Sequence, residues 1–401
     1  MKYLILIGDG MGDYPIPELA NQTPLEAAKT PNLDRLAQAG SLGRVVTTPE
    51  GMAPGSDVAI MSLMGYNPKG VLTGRGPLEA AALKVAVPTG ALAFRLNLVT
   101  LEFGAKTLMR DHAAGDISSL EAGELIAVLA EKLPLGKATL HQGVSYRNLL
   151  VWPEAPRGLP SLPPHDYRDQ PIDGFLGDPA LEPLMSLVKA SWPILADHPV
   201  NRARLTKGLA PANSVWLWGQ GQSPQIKTYK ERWGLTGATV SAVDIIRGLG
   251  LYSGLEPIWV DGATGLVKTN YEGKVVAGLQ ALKSRDLAVI HLEAPDEASH
   301  QGNLSDKLLA IENFDRLIVG PVLEGLAQAG WDYRLLVACD HYTPLVLRTH
   351  AADPVPFVIY DSRNQKGPQA LGFNEKNALD SGLLVPNGPA LGQALFGAER
   401  V

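Results

Sequence analysis

Carboxylates and imidazoles in this chain gather where buried strands have just ended. Asp9 follows the apolar run Leu4–Ile7. Asp296 and His300 follow Leu287–Leu292 within Glu293-Ala294-Pro295-Asp296-Glu297-Ala298-Ser299-His300. Asp340 and His341 follow Leu335–Ala338 after Cys339 alone, and His350 comes nine residues after His341. Ligands of open α/β sheets bind beyond the carboxyl ends of strands, so three strands would deliver these groups to one edge. The i, i+4 spacing of Asp296 and His300 sets both on one face of a helix starting near Pro295, a natural pair of ligands for one cation. Oxygen and imidazole donors without thiolate suit Mn²⁺, Zn²⁺ or Mg²⁺ and do not separate them.

Each piece also has a plainer reading. An Asp after a first strand forms turns or caps helices, and Asp296 with His300 makes an ordinary surface pair. Asp340-His341 can be turn chemistry, and His350 a lone polar residue. The joint placement is what favours a metal centre. His291, inside an apolar strand, reads as a satisfied core histidine, and His141 and His198 have no constellation around them.

Ser56 is the candidate nucleophile. It stands in Glu50-Gly51-Met52-Ala53-Pro54-Gly55-Ser56-Asp57, a loop leading into Val58–Met64, which reads as a helix. A serine at or near an N-cap ordinarily caps the helix. The chemical reading is that the helix N-terminus offers N–H donors and a positive dipole to a phosphate. A neighbouring cation would lower the hydroxyl pKa. Arg75, in Thr73-Gly74-Arg75-Gly76-Pro77, has a planar fork suited to carboxylate or phosphate, or is an exposed turn arginine. Arg110-Asp111-His112-Ala113-Ala114-Gly115, Ser145-Tyr146-Arg147-Asn148 and Pro164-His165-Asp166 are polar clusters of the kind substrate loops use, and each is equally a solvated loop. Two nucleotide motifs fail: Gly8-Asp9-Gly10-Met11-Gly12-Asp13 has Asp where G-x-G-x-x-G needs Gly, and no P-loop occurs.

The elements that must hold these residues follow from pattern and composition. The unalternating runs Leu4–Ile7, Leu287–Leu292, Leu335–Ala338 and Val355–Tyr360 suit strands buried on both faces. Helical patterns such as Leu308–Leu326 lie between them, and Thr30, Pro31 and Gly40 punctuate another helix as N-cap, first residue and stop. The expected fold is a doubly wound α/β protein with a mostly parallel sheet. From 83 to 223 the short apolar segments and prolines read as a smaller inserted domain, leaving 1–82 and 224–401 as the discontinuous core. At 401 residues the chain has room for both. Hydrophobic residues at 45% and charged residues at 19% exclude a disordered chain. A net charge of −6 without a basic run gives nucleic-acid binding little support. The lone Cys339 excludes an internal disulfide and a cysteine-based zinc site. The N-terminal apolar run is too short for a signal peptide or membrane span, so a soluble cytoplasmic enzyme is expected.

Assembled, these residues resemble the cofactor-independent phosphoglycerate mutases of the archaeal type, within the alkaline phosphatase superfamily. The likeness is densest in Gly8-Asp9-Gly10-Met11, in Thr23-Pro24-Leu25-Glu26-Ala27-Ala28-Lys29-Thr30-Pro31-Asn32, in Pro54-Gly55-Ser56-Asp57 and in Thr73-Gly74-Arg75-Gly76-Pro77-Leu78-Glu79-Ala80. It continues through Glu293–His300 and Asp340-His341. The resemblance implies an alkaline-phosphatase-like core and two divalent metal ions. Asp9, Ser56, Asp340 and His341 would bind one; Asp296, His300 and His350 would bind the other. Ser56 would carry the phosphoryl group as phosphoserine, the inserted domain would clamp the glycerate, and Arg75, His112 and Arg147 would bind the substrate. Neither 2,3-bisphosphoglycerate nor a nucleotide is implied, and the partner is a small phosphorylated substrate. The chain departs from the archaeal pattern at Asp116, where a basic residue would follow Gly115. The alternative on the same site is a homoserine kinase-like enzyme or a phosphomonoesterase.

Overall fold

The computed structural model describes residues 1–364 and 372–397. The chain divides into two compact units, one made of Met1–Val71 and the chain from Gln225 onward, the other Leu72–Pro224. In chain order the strands are β1 (Lys2–Gly8), β2 (Ser41–Val45), β3 (Leu92–Glu102), β4 (Leu108–Asp111), β5 (Thr139–Val144), β6 (Arg147–Trp152), β7 (Ser214–Gly221), β8 (Gly237–Val240), β9 (Glu256–Ile258), β10 (Leu287–Leu292), β11 (Tyr333–Cys339), β12 (Val355–Asp361) and β13 (Leu384–Val385).

The first unit is built on one eight-stranded sheet in the order β13-β2-β12-β11-β1-β10-β8-β9. Leu4, Ile5, Leu6 and Ile7 at its centre are all 0% exposed, so consecutive residues are buried on opposite faces and both faces are covered. Such side chains contribute roughly 1.5–3 kcal/mol each. All neighbouring pairs are parallel except those made by β12, which runs antiparallel to both β11 and β2. A parallel return needs a crossover of a dozen or more residues, usually a helix. The connection from β11 to β12 contains none, so the chain turns straight back. That return loop carries Asp340, His341 and His350.

Two helices differ from what their sequences suggest. Leu308–Leu326 is helical throughout, within an unbroken run from Leu304 to Ala329, but its ladder widens to a π segment at Phe314–Val319 between Leu304–Asn313 and Gly320–Ala329. Pro321 cannot donate an i→i−4 bond, so the ladder slips just before it. In the helix Pro31–Ala39, the Thr30 side chain makes no capping bond. Asp315 from the π turn caps it instead, accepting from Leu33 N–H at 2.7 Å and Asn32 N–H at 3.4 Å.

The second unit holds an antiparallel sheet in the order β4-β3-β6-β5, with β7 also paired to β3. The helices Ser119–Lys132 and Glu182–Ala196 pack with it around Phe94, Leu125, Leu184 and Trp216. This unit begins at Leu72 rather than at 83, because the helix Gly76–Ala82 packs on β3 and β7. Gly76 lies against the Ala93 carbonyl with no room for a Cβ. No helix of the described residues is long and apolar enough to cross a membrane.

Candidate functional site

Gly8 pairs with Leu292 on one side and with Cys339 on the other, so β1, β10 and β11 end level. Asp9, Glu293 and Asp340 therefore leave the sheet at one edge. Gly10 follows at φ +63°, and a Cβ there would sit 2.7 Å from Asp296 Cα. Only glycine permits both that conformation and that approach. The N–H groups of Gly10 and His341 donate to Asp340 Oδ1 at 3.0 and 2.8 Å.

Ser56 opens the helix Ser56–Leu63 as its first helical residue, behind Gly55 at the N-cap, and no side-chain capping bond forms there. Its hydroxyl lies 3.2 Å from His341 Nε2. That nitrogen is also 3.2 Å from Asp340 Oδ2 and 3.4 Å from Asp9 Oδ1. Burial, then the charges of Asp340, Asp296 and Glu293, push Asp9 well above the usual carboxylate range. Burial lowers the His341 imidazole, against the charge of Asp340.

A second group adjoins the first. The helix Ala294–His300 brings His300 Nε2 to 3.2 Å from Asp296 Oδ2. His350, from the return loop, sets its Nε2 3.1 Å from that of His300 and its ring 4.2 Å from that of His341. Burial alone would raise Asp296, but hydrogen bonds from His300 and His350 outweigh it and hold the carboxyl well below its usual range. Burial likewise works against a charged His300, but Asp296 lifts it to about 9. His300 Nδ1 faces the Arg348 carbonyl at 2.9 Å. A carbonyl only accepts, so Nδ1 keeps its proton when the imidazole is neutral, and Nε2 is the nitrogen whose lone pair can ligate a metal.

These residues fit divalent cations. Asp9 Oδ1 and Asp340 Oδ2 are buried without a hydrogen-bond partner among the described residues. A cation satisfies two such oxygens where a hydrogen-bond donor is lacking. Ligand atoms of Asp9, Asp296 and His341, and separately of Asp296, His300 and His350, lie within 4.8 Å of one another. The Nε2 atoms of His300 and His350 lie 3.1 Å apart beside the Asp296 carboxylate, close enough for one metal to take all three ligands. The donor set of carboxylates, imidazoles and a hydroxyl suits a hard or borderline ion.

Sequence reasoning missed the part His291 plays here. It is buried and hydrogen-bonded within β10, but its Nε2 partner is Asp9 Oδ2 at 2.8 Å, with Ser241 Oγ 3.1 Å from Nδ1. Burial, helped by the charge of Lys274, lowers His291 to about 3, so it stays neutral. The only signal available was its position one strand over from Asp9.

Arg75, His112 and Arg147 belong to the second unit. They surround residues that the sequence did not single out, or noted only in passing. Arg95, on β3, is buried, 3.0 Å from Glu79 Oε1, with its guanidinium 4.2 Å from the Trp218 ring centre. Burial lowers Arg95, and the charges of Arg75 and Arg147 lower it further, against Glu79. The His165 ring stacks edge-on with Trp218 at 5.4 Å and with His112 at 6.0 Å. Burial lowers His165 to about 4, with His112, Arg75 and Arg95 adding to the effect. His112 Nδ1 is buried without a hydrogen-bond partner among the described residues. The mutually repelling guanidiniums of Arg75, Arg95 and Arg147 are stabilised by an anion.

Comparison with known proteins matches residues 37–201 to the family model for 2,3-bisphosphoglycerate-independent phosphoglycerate mutase. A probable enzyme of that name from Geobacter sulfurreducens is 46% identical over 97% of this chain and 98% of its own. One from Methanothrix thermoacetophila is 47% identical over 90% of this chain and 91% of its own. Among solved structures, the PH0037 protein from Pyrococcus horikoshii superposes with a TM-score of 0.81 at 28% identity, covering 100% of this chain and 98% of that one. The cofactor-independent phosphoglycerate mutase from Thermoplasma acidophilum does so with a TM-score of 0.63 at 27% identity, covering 99% of each.

Proposed function

The chain belongs to the 2,3-bisphosphoglycerate-independent phosphoglycerate mutase family, and from that premise we propose that it interconverts 3-phosphoglycerate and 2-phosphoglycerate through a phosphoserine formed on Ser56. The observation that carries this reading is the Ser56 hydroxyl. It is not used as a helix cap, and it lies among the aspartate and histidine donors at the sheet edge.

We assign Asp9, Ser56, Asp340 and His341 to one divalent cation and Asp296, His300 and His350 to a second, with Mn²⁺, Zn²⁺ and Mg²⁺ as the candidates. When bound, the ions supply charge neutralisation for the phosphoryl oxygens and a lowered pKa for the serine hydroxyl. Ser56 Oγ bonds to phosphorus as the bond from phosphorus to the C3 oxygen breaks. The proton lost by Ser56 is matched by the one that the C3 oxygen takes up. The C2 hydroxyl then reverses the exchange, and the serine is restored. No nucleotide and no 2,3-bisphosphoglycerate enters this balance. Arg75, His112 and Arg147, with Arg95 and His165, hold the anionic groups of the substrate in the second unit, which serves as the clamping domain. As a glycolytic step the activity belongs in the cytoplasm.

The test is an enolase-coupled assay on 3-phosphoglycerate with Mn²⁺ and without 2,3-bisphosphoglycerate, repeated after chelation. Turnover that chelation abolishes and Mn²⁺ restores is the expected result. Bound metal without turnover on phosphoglycerate, together with activity on homoserine or another phosphomonoester, would replace the substrate in this reading.

A further inference from the structure

Thr343 stands between the two candidate metal groups. It is 0% exposed. Its backbone is fixed on both sides: its N–H donates to the Gly12 carbonyl at 3.1 Å, and its carbonyl accepts from Lys307 Nζ at 3.0 Å. Its hydroxyl donates to Asp296 Oδ1 at 2.6 Å. His341 Nδ1 lies 3.1 Å from the Thr343 hydroxyl oxygen.

A hydroxyl has one proton, and here a carboxylate that can only accept has taken it. The contact with His341 must therefore run the other way, with Nδ1–H donating to the Thr343 oxygen. That sets the tautomer of His341 and leaves its Nε2 lone pair directed at Ser56, Asp9 and Asp340. The bond to Asp296 Oδ1 also fixes the rotation of that carboxylate, presenting Oδ2 on the side of His300. Gly10 completes the enclosure, since a Cβ there would lie 2.6 Å from the Thr343 hydroxyl.

Resting on the two-metal reading above, we propose that Thr343 is a positioning residue that orients one ligand of each cation, His341 and Asp296, through a single hydroxyl. Partners of this kind typically change metal affinity by about 10–100-fold when removed. Here one substitution should weaken both sites together.

The test compares Thr343→Val, which keeps the shape and removes the hydroxyl, with Thr343→Ser, which keeps the hydroxyl and removes the methyl. Chelator-stripped proteins are titrated with Mn²⁺ by calorimetry, and Co²⁺ spectra report ligand geometry. The expected result is affinity lower by about 10–100-fold for both ions in the Val variant, a changed Co²⁺ spectrum, and near wild-type values for Ser. If Val fails to fold, Thr343→Ala removes the hydroxyl without adding a methyl and makes the same comparison with Ser. Wild-type Mn²⁺ affinity in the hydroxyl-free variant would overturn the proposal, as would a Ser variant that falls as far as Val. In either case a wild-type protein that binds Mn²⁺ and turns over leaves the mutase reading intact. A wild-type protein that takes up no Mn²⁺ would remove both.

Discussion

Replacing Lys307 with Met should destabilise the first unit by about 3–4 kcal/mol, and the structure gives the reasons. The ammonium is 0% exposed and 2.7 Å from Asp13 Oδ2. It also donates to the carbonyls of Thr343 at 3.0 Å and Gly12 at 3.3 Å. Burial lowers the Lys307 pKa, and Asp13 opposes that shift. Met keeps the apolar stem but leaves the Asp13 carboxylate buried without its cation. Losing one partner of a buried pair costs about 3–5 kcal/mol. The lower half of that range applies here, because Asp13 keeps N–H bonds from Tyr14 at 2.7 Å and Leu345 at 3.1 Å. The Gly12 carbonyl also keeps the Thr343 N–H. For a domain of this size the loss amounts to a midpoint lower by about 6–16 °C. The assay is urea unfolding of chelator-treated protein, so that metal binding does not add stability by mass action. Adding Asp13→Asn to Lys307→Met should recover at least about 1 kcal/mol, because the stranded charge is gone. A single-mutant cost under about 1 kcal/mol, or strictly additive mutations, would refute the reasoning. The pair matters for function because Gly12 and Thr343 belong to the loops that carry Asp9, His341 and His350.

His300→Ala should leave folding intact and remove one equivalent of bound metal, which elemental analysis after Mn²⁺ loading measures; unchanged content would dismiss His300 as a ligand. In the metal-free protein His300 is lifted to about 9 from 6.5, so its bond to Asp296 adds stability that is complete below about pH 6.5 and lost as pH rises through about 9. Metal binding at about pH 8 must therefore displace that proton, and calorimetry in buffers of different ionisation enthalpy should detect proton release that shrinks above about pH 9. No buffer dependence at about pH 8 would contradict the assignment. Arg147→Ala should lower kcat/KM by about 10–100-fold through loss of a charge-assisted contact to the substrate, leaving Mn²⁺ affinity unchanged in titration.

The parts of the fold legible in the sequence were those with a local signature. β1, β10 and β11 each contain an unalternating apolar run, and a carboxylate just beyond each strand needs no partner to be noticed. The i, i+4 pair Asp296 and His300 announces itself in the same way. What stayed hidden depends on residues far apart in the chain. A strand reads the same in either direction, so β12 gave no sign that it runs antiparallel. Thr30 looked like a cap because Asp315, which performs that role, comes from a distant π turn. His291 sits in an apolar run, and its tie to Asp9 spans 282 positions. Arg95 is the one cation of β3, and only Glu79 and Trp218 packed beside it reveal its setting.

Trapping the covalent intermediate tests the central claim most directly. The protein is mixed with phosphate-labelled 3-phosphoglycerate and Mn²⁺, quenched in acid, digested, and mapped by mass spectrometry. The account predicts phosphate on the peptide that carries Ser56, with none there after chelation or in Ser56→Ala, and no mutase turnover in that variant. Turnover by Ser56→Ala at the wild-type rate, or label on another residue, would contradict it.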